Sequence, residues 1–198
     1  MIITRSKLKE VTGVDYYDGS VLHSRFAYKF FKKQVHPAGN IIAFTAPMEV
    51  TTNLVDLEDS LNNDYIYSES AVNFLIELPG VNQFGGVVFQ RLFNAQVGSL
   101  LCGKYLGVDG YVDGDDIKVV LDREGKEIQK ASVSIALEVN NAVLIHTGIN
   151  INAGDKAPKF AYSTKLTEDQ VKEFSEEVIN MFHHMTYDIF VATTKVAV

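Results

Sequence analysis

Lys130, Ser132 and Ser134 alternate along "QKASVSI", and His146, Gly148 and Asn150 alternate along "LIHTGIN" a dozen residues later. Strand side chains change faces with period two, so each trio occupies one side of an extended segment. Ala131, Val133 and Ile135, and then Ile145, Thr147 and Ile149, fill the opposite sides. The chemistry such a set could do is anion handling. A lysine ammonium can neutralise a phosphate or carboxylate, hydroxyls can hydrogen-bond it, and an imidazole can orient it or exchange a proton. Lys130 and His146 are therefore the candidate catalytic residues. Ser132, Ser134 and Asn150 are candidate ligand contacts, and Gly148 permits close approach by a ligand or backbone. The same alternation also describes a hairpin with one solvated face.

The two trios meet only if their segments pair. "IALEVNNAVLIH" reads as a hairpin turning at Asn140-Asn141. A register centred on Asn140 sets Ser134 opposite His146, Ser132 opposite Gly148 and Lys130 opposite Asn150, all on one face. A bulge at Gly148 is the alternative.

Other elements must hold that hairpin. From Gly85 to Lys104, Val88, Phe89, Leu92, Phe93, Val97, Leu100 and Leu101 recur at helical steps, while Arg91 and Asn94 fall off the stripe. Arg91 is thus a second candidate cation for the site. "TEDQ" from Thr167 has capping-box form, and Val171, Phe174, Val178, Met181, Phe182 and Met185 make the buried stripe of a last helix. "DIFVATTKVAV" beyond it is rich in β-branched residues, which leaves its helicity open. "MIITRSK" reads as an edge strand. "YYDGSVLHSRFAYKFFKK" reads as a turn at Asp18-Gly19, a capping Ser20 and a helix ending in lysines, broken by "HPAGN". "IIAFTAPMEV", "AVNFLIELPG" and "DIKVVLD" read as strands. "VDLEDSLNNDYIYSES" reads as an acidic loop with strand pieces. Its Asp56, Glu58 and Asp59 could hold a metal near phosphate, or simply face water. His183 and His184 are adjacent on a helix and cannot share a face, so no metal site is expected. Strands and helices in mixed order, with hairpins, give the class α+β: a mixed, largely antiparallel sheet with packed helices.

The 198 residues suit one domain spanning 1–198, and 46% hydrophobic with 22% charged residues excludes a disordered chain. A net charge of −7 argues against a nucleic-acid partner, which needs clustered Lys and Arg. Cys102 is the only cysteine, read as a small buried residue at a helix end. No apolar run reaches membrane-spanning length and the N-terminus lacks a signal core, so a cytoplasmic protein without a membrane partner is expected.

From Leu106 to Ile151 the chain resembles the catalytic fold of the lipoate and biotin protein ligases. Lipoate ligases carry a strand entering with Asn-Asp, then a K-x-S-G-x-A strand, then an H-G-T-L strand. Here Asp115-Asp116 stands at the entry, Lys130, Ser132 and Ala136 fall in a comparable motif, and His146 follows at a similar distance. In order of elements the resemblance extends from Ser68. It implies a class II synthetase-like fold, ATP or an acyl-adenylate as cofactor, and a small carboxylate or nucleotide as ligand. The chain departs from that pattern: it lacks the Arg-Arg-x-x-Gly-Gly-Gly and GRGRxG segments, and Val133 replaces the glycine of K-x-S-G. A likeness to the family catalogued as domain of unknown function 366 spans nearly the whole chain. It runs through "YDGS", "AFTAPMEV", "VDLED", "VFQRLF", "KASVSIA", "HTGINI" and "ATTK". That likeness implies the ligase-like fold and no particular reaction. Two functions follow: carboxylate activation or acyl transfer, or a non-catalytic small-molecule or partner-binding module that kept the fold.

Overall fold

The computed structural model describes residues 1–32, 36, 38–62, 64–122 and 124–196. Five strands make the main sheet: β1 (Ile2–Ile3), β2 (Asn40–Val50), β3 (Ile66–Pro79), β7 (Ser132–Val139) and β8 (Ala142–Asn152). Their order is β1-β2-β3-β8-β7, antiparallel throughout except that β1 runs parallel to β2. Three short strands, β4 (Gly110–Asp113), β5 (Asp116–Val120) and β6 (Ile128–Lys130), form a second antiparallel sheet. The class is α+β with a mixed, largely antiparallel sheet, as the sequence implies.

Two long helices cover one face of the main sheet. In α4 (Gln83–Leu100) the buried row is Phe89, Phe93 and Val97, continued by Leu101 in a π-helical turn at Leu101–Leu106. Val88 and Leu92 of the expected stripe lie exposed, whereas Asn94, expected outside it, is fully buried. α5 (Glu168–Thr194) starts with the Thr167–Gln170 capping box and keeps its helical form to Thr194, through the β-branched stretch. Residues 197–198 at the end of that stretch lie outside the described residues. Phe174 and Phe182 of α5 join Phe93, Phe74 and Ile145 in one core.

The other face is covered by α1 (Arg5–Thr12), α2 (Phe26–Phe31) and the segment around Tyr17 and Val21, against Phe44, Leu75 and Leu144. Both faces of β3 and β8 are therefore buried, which explains their nearly unbroken apolar runs. Here the expectations need correction. "MIITRSK" is an edge strand as expected, but only over Ile2–Ile3, because Thr4 Oγ1 accepts the Lys7 N–H at 3.2 Å and starts α1. Ser20 caps nothing: Asp18 Oδ1 accepts both its N–H and its O–H, and the helix waits until Phe26. Lys33 at the expected end of that helix, and Pro37 of "HPAGN", lie outside the described residues. Within the acidic segment a short helix forms, α3 (Leu57–Asn62), while Asn63 lies outside the description.

The hairpin closes through a two-residue turn. Asn140 and Asn141 both have positive φ, 51° and 61°, as a type I′ turn requires. Val139 then pairs with Ala142, Ile135 with His146 and Ser134 with Thr147. That register differs by one residue from one centred on Asn140. A one-residue shift turns one strand's side chains to the other face, so His146, Gly148 and Asn150 lie opposite to Ser132 and Ser134.

Candidate functional site

Lys130 ends β6, and Ala131 carries the chain from the small sheet to the main one. Ala131 and Ala136 face the same core although strict alternation would separate them, so the period breaks at this junction. Backbone bonds hold Lys130 there: its N–H donates to Phe160 O at 2.7 Å, and its carbonyl accepts from Tyr162 N–H at 2.8 Å. Its ammonium lies 2.7 Å from Asp116 Oδ1, while Lys118, its cross-strand partner, lies 3.1 Å from Oδ2 of the same carboxylate. One carboxylate thus reconciles two lysines that sit directly opposite each other.

Beside this junction opens a cavity of about 520 Å³. Lys130, Ser132, Ser134, His146 and Asn150 line it; Gly148 and Arg91 do not. Four consecutive residues of β7, Ser132 to Ile135, contribute to one wall, as an edge strand does when its backbone also faces the opening.

Several of the expected contacts are engaged in holding the fold. Ser132 is fully buried, and its Oγ accepts the Ile117 N–H at 2.8 Å, joining the two sheets. Ser134 belongs to a polar chain beneath α4. Gln90 donates to Ser134 Oγ at 2.8 Å, and that hydroxyl lies 2.9 Å from both His146 O and Thr147 Oγ1. Thr147 donates to Asn94 Oδ1 at 3.0 Å, and Asn94 Nδ2 donates to Asp115 O at 2.8 Å. Sequence reasoning missed Gln90, Asn94 and Thr147. The available signal was the four-residue spacing of Gln90 and Asn94, which puts two polar groups on one helical row.

His146 lies on the opposite face. Its ring stacks on Tyr17 with centroids 3.7 Å apart and planes 14° apart. Its Nε2 lies 2.9 Å from Asn73 Oδ1, while Asn73 Nδ2 donates to Ala46 O and Ala71 O. That orientation makes Asn73 Oδ1 an acceptor, so Nε2 carries the imidazole proton. Burial pushes the imidazole pKa down to about 3, so the ring is neutral at pH 7. Burial likewise pushes the Tyr17 hydroxyl well above its ordinary range.

Two expected contacts fall elsewhere. A Cβ on Gly148 would lie 2.5 Å from Met48 Sδ, so this glycine makes room for a core methionine and not for a ligand. Arg91 donates to Gln90 Oε1 at 2.7 Å and sits 3.9 Å from Asp115 Oδ1; it does not itself line the cavity, although Asp115 does. Asn150 does line it, is 4% exposed, and has a side-chain Oδ1 with no hydrogen-bond partner. Asp56, Glu58, Asp59, Asp64, Asp115 and Asp116 complete the polar lining. Among the described residues, no three His, Cys, Asp or Glu side chains group closely enough to hold a metal ion. No helix among them is long and apolar enough to cross a membrane.

A protein of unknown function from Pyrococcus horikoshi shares this fold with a TM-score of 0.78 and 25% identity, over 92% of each chain. A Thermoplasma acidophilum protein with bound lipoic acid, provisionally assigned as a lipoate protein ligase, gives 0.53 at 14% identity. The match covers 93% of this chain and 85% of that one. A biotin protein ligase from Aquifex aeolicus in complex with biotin gives 0.48 at 13% identity, over 77% and 63%. At 14% identity the likeness to the Thermoplasma protein speaks to fold alone, and the fold is lipoate ligase-like. No curated protein matches the chain. The family pattern described as "Domain of unknown function (DUF366)" matches residues 8–197, and to that family this chain belongs.

Proposed function

We propose that this chain binds a small molecule in the cavity beside the sheet junction, with Lys130 taking a carboxylate or phosphate oxygen of the ligand. The supporting observation is the placement of Lys130. It is the one cation among the described lining residues, its side chain is 26% exposed, and Asp116 and two backbone bonds hold it in position. A pre-positioned ammonium loses little freedom on binding an anion. His146 takes no part in this reading, because it is neutral and bonded to Asn73. A cytoplasmic setting belongs to the same proposal and accords with a lone cysteine kept as a buried thiol.

A second reading, carboxylate activation or acyl transfer, draws support from the contact between Lys130 and Asp116. Asp116 belongs to the Asp115-Asp116 pair at the position of the ligases' Asn-Asp. Lys130 would then stabilise negative charge developing on the activated carboxylate.

The test begins with a thermal-shift screen of ATP, AMP, biotin, lipoate and fatty acids, followed by calorimetry on the wild type and Lys130→Ala. Losing a charge-assisted contact costs about 1.5–3 kcal/mol, so affinity is expected to fall roughly ten- to over a hundredfold. Stability is expected to change by less than about 1 kcal/mol, since the ion pair is partly exposed and Lys118 remains on Asp116. Equal affinity of the two proteins removes Lys130 from the site. Pyrophosphate release from ATP with the bound carboxylate separates the activating enzyme from the binding module.

A further inference from the structure

A second groove, of about 460 Å³, opens between α4 and the last turns of α5. Val88, Leu92, Ile189 and Phe190 line it, each 41–54% exposed, and Phe84, one turn before Val88 on the same helix face, is 78% exposed. No charged side chain is among the described lining residues, and none of them lines the Lys130 cavity. The two threonines of the lining keep their hydroxyls for α5 itself: Thr186 donates to Phe182 O at 3.0 Å and Thr193 to Phe190 O at 2.7 Å. Whatever covers this face meets apolar surface, with no ion pair or hydrogen bond to satisfy.

The helix that forms one wall also outruns its own core. α5 continues past Thr186, its last buried residue, to Thr194. That overhang holds Ile189, Val191, Thr193 and Thr194, whose β-branched side chains favour helix only weakly. Most helical stability comes from packing an apolar face, and here that face is half open. Phe84, Val88, Leu92, Ile189 and Phe190 together expose about 500 Å² of apolar surface, towards the upper end for a monomer. A standard interface takes about 800 Å² from each partner, an apolar centre with a polar rim. The patch is large enough to be that centre.

We infer that this groove is a self-association surface, where the α4–α5 face of one copy packs on the same face of a second copy about a two-fold axis. Such an interface uses one patch as both partners, so the patch must complement itself. This one carries a concave seam between two helices and, at its edges, the protruding rings of Phe84 and Phe190. An identical apolar face fills the seam without stranding a charge in it. Since the groove and the Lys130 cavity share no lining residue, each copy of the dimer keeps its own ligand site.

Sedimentation of the full chain tests this, with an expected mass of about 44 kDa, twice the 22.0 kDa of one chain. Val88→Asp and Phe190→Asp, on different helices, should each raise the dimer dissociation constant roughly thirtyfold or more, as loss of a central interface residue does. Leu57→Asp, at a side chain 79% exposed on α3, should leave it unchanged. Val88 and Phe190 are half exposed in the single chain, so both variants are expected to fold; if one does not, the other decides. Hydrogen exchange gives a second readout: protection of Tyr187–Thr194 should fall on dilution through the dissociation constant. A wild type that stays monomeric at roughly 100 μM overturns the inference, since interfaces of standard size hold at micromolar concentrations or below. A dimer that both aspartate variants leave intact overturns it too, by placing the contact elsewhere. So does a monomer whose groove takes up decanoate, which gives the face a different occupant.

Discussion

His146 sits between the Tyr17 ring and Asn73, bonded at one nitrogen and fully desolvated. Its ordinary pKa of 6.5 applies to the unfolded chain, whereas burial holds it at about 3 in the fold. As pH falls, the unfolded chain therefore takes up the proton first. The contribution to stability is complete above about pH 6.5 and is lost as pH falls from there towards 3, at up to about 1.4 kcal/mol per unit. Urea unfolding between pH 7.5 and 4.5 should show a shallower pH slope for His146→Gln than for the wild type. Coincident slopes would mean that the imidazole protonates as readily in the fold as outside it. The residue types at 130, 132, 134, 146 and 150 were legible as a polar set. Their division of labour was not, because a hydroxyl or imidazole that serves the fold looks the same in sequence as one that serves a ligand.

At the scale of elements, α4 lies against β8 through Gly86. A Cβ there would run into both methyl groups of Val143. Alanine ordinarily gains about 1 kcal/mol over glycine inside a helix. Here overpacking should outweigh that gain, and Gly86→Ala is expected to destabilise by about 1–3 kcal/mol net. Adding Val143→Ala should recover part of the loss relative to the sum of the single changes, as urea midpoints of the four proteins would reveal. A stabilised Gly86→Ala would mean that α4 can lift from the sheet without penalty. Long elements were legible because their signals are short-range: the Thr167–Gln170 capping box, the repeating apolar row of α5, and the paired asparagines of the hairpin turn. α1 and α3 were not, since each is short and only Leu8 of the two is buried. Their apolar periodicity is correspondingly faint.

Across the whole molecule, β3 and β8 form the centre, covered on one side by α4 and α5 and on the other by α1, α2 and the Tyr17 segment. Amides of Val72–Leu78 and Val143–Ile149 should accordingly exchange with solvent only through global unfolding, while those of α3 exchange within local openings. Hydrogen exchange measured at peptide resolution checks this. Equal protection of α3 and β3 would contradict it.

The sequence by itself determined the α+β class, the two long helices, the hairpin and the ligase-like likeness, because periodicity, caps and turn residues act over a few positions. Only the tertiary structure decided which residues meet. His146 finds Asn73, 73 positions away, through the pairing of β8 with β3. Acids from the α3 region line the same cavity as Lys130, and nothing in the local spacing of either segment announces it. The hairpin register decided the rest. Two turn residues with positive φ shift the pairing by one position, and with a side-chain period of two that single position sends His146 and Ser134 to opposite faces of the sheet.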